Sequence, residues 1–150
     1  MSWLWLGTAL ACSPGSQVSF ADVTLAWHVD EHTLHGQVRA PGPGWVAIGF
    51  DDREGLAGSR LVMLAVRDGA VVGEEHRAEP PDHPVRRVLS EEHLVGRLDD
   101  RGLLVTFEIP LESPDLTLAS GLQVYLTLAW SRSPDFDHHS ARREARWVRL

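Results

Sequence analysis

Eight histidines, a single cysteine and a large set of carboxylates are the chemistry-bearing residues of this chain. The adjacent pair His138 and His139 stands apart, with Asp135, Phe136 and Asp137 before it and Arg142 and Arg143 after it. Neutral imidazole is the commonest protein ligand of transition metals, and a neighbouring carboxylate can fix its tautomer. On an extended chain adjacent side chains point opposite ways, so at most one of the two is expected to face inward. The residues alone leave a metal or haem role and a plain surface role equally open. His28 and His35 fall on polar strand positions, His32 in the turn between them and His93 at a strand start, and all four read as solvated surface. His76 and His83 fall in the proline-rich connection "EEHRAEPPDHPVRR" and read as loop polarity.

A second stretch, "GWVAIGFDDREGLAGSRLVM" from Gly44 to Met63, reads as strand, polar loop and strand. Leu56 is the apolar residue inside that loop, between Gly55 and Gly58. A surface loop has no use for a leucine, whereas a loop folded over a ligand pocket does. The chain has no GxSxG, HExxH, P-loop or GxGxxG pattern. Its carboxylates are plentiful, but spacing in an all-β chain picks out no acid–base pair. Binding rather than bond-making is the expectation.

The elements that position these residues fit one domain, since 150 residues suffice for a single core. Arginine supplies all 14 basic side chains against 21 acidic ones, for a net charge of −7. That balance disfavours nucleic acid or an anionic membrane surface as a partner. Residues 1–12 resemble a signal or lipoprotein segment: the apolar run Trp3 to Ala11 suits a signal h-region and ends at Cys12, the expected lipid-bearing residue. Residues 13–17 read as a linker and 18–150 as the folded domain. The expected location is extracytoplasmic, with membrane contact only through a lipid on Cys12.

Hydrophobic period two runs through Val23–Val29, Leu34–Val38, Leu103–Ile109 and Leu122–Trp130. "WVAIGF" and "LVMLAV" are apolar on both parities, as strands in the middle of a sandwich are. "RDGA" carries an Asp-Gly hairpin signal. These features predict an all-β fold, an antiparallel β-sandwich of about eight or nine strands with immunoglobulin-like architecture. The proline-rich connection is not expected to form a strand at its centre.

"GWVAIGF", "GLAGSRLVM", "LLVTFEIPL" and "LAWSRSPDFDHHSARRE", in this order and spacing, resemble the DOMON domain over about Val23 to Leu150. That is the sandwich module of dopamine β-monooxygenase and of the cytochrome domain of cellobiose dehydrogenase. The resemblance implies an extracytoplasmic module that binds b-type haem or a sugar, with a redox partner protein in the first case. In haem-binding members a loop methionine and a late histidine hold the iron. The histidine corresponds to His139 and the methionine to Leu56, while Arg60 replaces an acidic residue. Trp45, Phe50, Leu56, Arg60 and His138 are then expected to line the pocket. Leucine has the bulk of methionine but no donor atom, so a haem would be five-coordinate through His139 or would recruit another ligand. His76 or His83 would serve only if their loop folds across the pocket, and Met63 reads as core filling. The alternative is a haem-free carbohydrate-binding or adhesion module in which Trp45, Tyr125 or Trp130 stacks on sugar, unless they pack the core. A third reading is a structural domain offering only a partner surface.

Overall fold

The computed structural model describes residues 16–79 and 82–150. Cys12, the signal-like segment and most of the linker lie outside the described residues. Eleven strands follow one another: β1 (Gln17–Phe20), β2 (Val23–Val29), β3 (Thr33–Ala40), β4 (Val46–Asp51), β5 (Arg60–Arg67), β6 (Ala70–Arg77), β7 (Val85–Val88), β8 (Leu94–Asp99), β9 (Gly102–Pro110), β10 (Gln123–Trp130) and β11 (Arg142–Arg149). They form two antiparallel sheets, β1-β2-β3-β9-β8 and β11-β10-β4-β5-β6-β7. The fold is the all-β sandwich that the period-two pattern predicts.

Two strands exceed the expected count, and both lie at sheet edges. Among the described residues β1 pairs only with β2, and β7 only with β6. Edge strands are buried on at most one face, so they carry little of the alternation that reveals a strand. All four residues of β7 are exposed. The start of the proline-rich stretch is also strand, because β6 runs on to Arg77. Pro84 falls just outside β7, where its missing N–H costs no ladder bond.

The core lies between the sheets. Val23, Leu25 and Trp27 of β2 and Val105, Phe107 and Ile109 of β9 meet Val46, Ile48 and Phe50 of β4 and Leu126 and Leu128 of β10. The β5–β6 hairpin turns on Asp68 and Gly69, at φ 51° and 79°. Positive φ at both central residues is the two-residue turn whose twist matches the strands, which explains the Asp-Gly pair.

A smaller apolar cluster sits on the opposite, outer face of the six-stranded sheet: Trp45, Ala47, Leu61, Met63, Ala65, Ala129 and Phe136. This is why β4 and most of β5 are apolar on both parities. The β10–β11 connection folds back over that face and lays Phe136 on it.

Candidate functional site: a hollow on the outer face of the six-stranded sheet

The strand register builds the hollow. Ala129 of β10 stands opposite Ala47 of β4, and Ala47 opposite Met63 of β5. Thr127 stands opposite Gly49, and Gly49 opposite Leu61. Small residues on β10 and β4 leave a depression that the larger Trp45, Leu61, Met63 and Phe136 surround. The resulting cavity measures about 500 Å³ and is also lined by Leu56, His83, His138, His139 and Arg143. That volume lies within the usual range for small-molecule and cofactor sites.

Two connections supply the rim. The β10–β11 connection carries Phe136, His138 and His139, and it is anchored at several points. Trp45 N–H donates to Ser133 O at 3.0 Å, Ser131 N–H to Trp45 O at 2.9 Å, and the Trp45 indole Nε1–H to His138 O at 3.1 Å. Gly44 is required here, since a Cβ would lie 1.8 Å from Ser131 O. Arg67 adds a bond from Nε to Pro134 O at 2.9 Å and places its guanidinium 4.3 Å from the centre of the Phe136 ring. The β6–β7 connection carries His83. Arg77 N–H donates to Pro84 O at 3.2 Å across its neck. Ala78 exchanges two backbone hydrogen bonds with Gly58 and Ser59, tying this connection to the Leu56 loop.

His138 and His139 both line the cavity, and their rings stack at 4.4 Å between centroids. Both residues are exposed and stand at the rim of the hollow, where the chain is not extended. His138 N–H donates to Asp135 O at 3.0 Å, closing a turn that turns adjacent side chains to the same side. His83 is exposed overall, yet its pKa is lowered, first by partial burial and next by His76 nearby, against the opposing pull of Asp82 and Asp137.

Of the pocket residues expected from the sequence, Trp45, Leu56, His138 and His139 gather at this cavity. Phe50 and Arg60 do not. The pleat of β4 sends Phe50 into the core with Val46 and Ile48. On β5, Arg60 shares its parity with the core residues Val62 and Leu64, and it is fully buried. There it donates to Glu75 Oε1 at 2.7 Å and to the carbonyls of Pro110, Leu111 and Leu116. Met63 is buried as core filling, in the smaller apolar cluster that floors the cavity. His76 is no loop residue. It lies in β6, buried, with Nε2 2.9 Å from Glu74 Oε1 and its ring edge-on to Phe136. Sequence reading missed Arg143 and the floor role of Ala47 and Ala129. The signal for that floor was present, in the double-sided apolarity of β4 and β5.

Chemically the cavity combines an apolar floor with one thioether, three imidazoles, one guanidinium, the carboxylates of Asp82 and Asp137 and the hydroxyls of Thr127 and Ser140. Among the described residues no group of three or more His, Cys, Asp or Glu side chains is placed to hold a metal ion. A larger depression of about 660 Å³ lies at the far end of β4, lined by Asp51, Asp52, Arg53, Arg77, Glu79 and Asp115. Its lining is mostly charged and it has no apolar floor, so it suits solvent better than a hydrophobic cofactor. Compared with known proteins, the chain matches no family model and no curated protein. The likeness to DOMON domains thus stands on the quoted residues alone.

Two of the remaining histidines, His28 and His35, meet on the outer face of the five-stranded sheet. His28 and His35 stack at 4.5 Å, and His35 Nε2 lies 2.6 Å from Asp30 Oδ2. Asp30 also accepts the backbone N–H groups of His32 and Thr33. Both rings are half-buried rather than solvated.

Proposed function

We propose that this chain is a binding module of the DOMON kind, whose cavity on the outer face of the six-stranded sheet accepts a b-type haem. The observation that carries the proposal is the convergence of Leu56, Trp45, His138 and His139 on one cavity with an apolar floor. The donor set fits the group: an imidazole for the iron, aromatic and aliphatic walls for the macrocycle, and Arg143 at the rim for a propionate. His139 is the iron ligand, and Trp45, Leu61, Met63 and Phe136 pack the ring and keep water from it. Bound there, haem would supply one-electron chemistry, so the role is electron transfer to a partner protein or haem sensing, in an extracytoplasmic setting. Neither role requires the protein to make or break a bond.

The test is haem titration of the purified chain, followed by absorption spectra of the oxidised and reduced forms. A red-shifted Soret band that His139→Ala abolishes and His138→Ala keeps is the expected result. Absence of any Soret shift with excess haem removes this reading.

A second reading, a haem-free sugar-binding module, draws on a different feature. Trp147 is 41% exposed and lies 5.2 Å from Tyr125 between ring centroids, on the same sheet face. Glu54 Oε1 accepts its indole N–H at 3.2 Å, which holds the ring in place. Of the aromatics named for stacking, Trp45 is in the cavity floor, and half-buried Trp130 donates to Ala21 O, so Tyr125 with Trp147 is the pair open to a sugar ring. Calorimetry with oligosaccharides on the wild type and on Trp147→Ala tests it.

A further inference from the structure

We propose that His83 supplies the donor that Leu56 lacks, so that haem in this cavity is held by two imidazoles, those of His139 and His83. The inference rests on the haem reading above and concerns how that haem is ligated. Three observations lead to it. His83 lines the same cavity as His139 but reaches it on a different connection, the one between β6 and β7. That connection is not an independent loop, because Ala78 is hydrogen-bonded to Gly58 and Ser59, next to Leu56. The segment bearing His83 thus joins the loop bearing Leu56, where a sulfur donor is absent. The neck bond from Arg77 N–H to Pro84 O then closes the connection immediately beside His83.

The other histidine considered for this role, His76, is committed elsewhere. It is buried in β6 between Glu74 and the edge of Phe136, and it does not line the cavity. Met63 is the competing donor. Its side chain, 2% exposed, packs in the floor among Ala47, Leu61 and Ala129, in the manner of a methionine filling an apolar gap.

The experiment uses the full chain loaded with haem and reads spin state by absorption and electron paramagnetic resonance. The wild type is expected to be low-spin in both oxidation states, without the near-infrared band that marks a methionine sulfur on ferric iron. His83→Ala should become high-spin while retaining haem, and added imidazole should restore the low-spin spectrum. Met63→Leu should stay low-spin. Haem bound with an unchanged low-spin spectrum in His83→Ala overturns this inference and leaves the haem reading intact. So does loss of the low-spin state in Met63→Leu but not in His83→Ala. A wild type that takes up no haem overturns both, and the binding titration separates that outcome from the others.

Discussion

The indole N–H of Trp45 donates to the backbone carbonyl of His138 at 3.1 Å, so the residue that floors the cavity also holds the loop that rims it. Trp45 immediately precedes β4, whose opposite face is core. The position of the histidine loop is thereby referred to the rigid centre of the six-stranded sheet. A site built this way is preorganised by its support rather than by its ligand.

Trp45→Phe should keep most of the apolar packing and lose that bond. A single hydrogen bond of this kind is worth about 0.5–1.5 kcal/mol, so urea unfolding should show a loss in that range. Haem affinity should fall by roughly tenfold, the lower end of what losing a residue that supports an iron ligand costs. Unchanged affinity would show that the loop keeps its position without Trp45.

Leu56 sits between two depressions, lining the main cavity and also a shallow one formed with Gly55, Tyr125, Thr127 and Arg143. Introducing a thioether there should give haem a new sulfur donor. In the His83→Ala background, Leu56→Met should convert the high-spin spectrum to low-spin and bring in the sulfur-to-iron band. If the double variant stays high-spin, residue 56 does not reach the iron.

Arg60 is 0% exposed, and its ion pair with Glu75 is closed off from solvent. Removing one member of a buried pair typically costs about 3–5 kcal/mol, because the other charge stays behind uncompensated. Arg60→Leu should be destabilised on that scale and should also release the carbonyls of Pro110, Leu111 and Leu116. Arg87, 3.7 Å from Glu75 Oε2, moderates the loss. Thermal unfolding measures it, and a shift of only a degree or two would mean Glu75 is neutralised without Arg60.

Asp30 has its pKa lowered to about 2, chiefly by its hydrogen bond with His35 and then by the amide of His32. A carboxyl with a depressed folded pKa stabilises the fold above its unfolded value, near 4, and loses that contribution as pH falls toward its folded value. Asp30→Asn should therefore be less stable than wild type at pH 6, with the difference shrinking between about pH 4 and pH 2. Because half of the Asp30 side chain is exposed, solvent screening keeps the effect small. Urea midpoints of the two proteins across that range provide the check, and a gap that persists at pH 2 would assign the effect to something other than the carboxylate charge.

The alternation along β2, β3, β9 and β10 carried the sandwich, because burying one face of a pleated strand imposes a period of two on the sequence itself. The double-sided apolarity of "WVAIGF" and "LVMLAV" marked strands in the middle of the sandwich, and the structure shows its cause in the apolar cluster on the outer face of the six-stranded sheet. The edge strands β1 and β7 were not legible, since little burial constrains their residue types. What only the tertiary structure decided is which residues share the cavity. Phe50 and Arg60 sit one pleat out of phase with Leu61 and Met63 and so face the core, although they flank the same loop in sequence. His83 and His139 lie far apart in the chain and meet at one hollow because their connections close over the same sheet face. Local pattern records whether a side chain is buried, whereas the partner it is buried against depends on strand order and on how loops fold back, and neither leaves a period in the sequence.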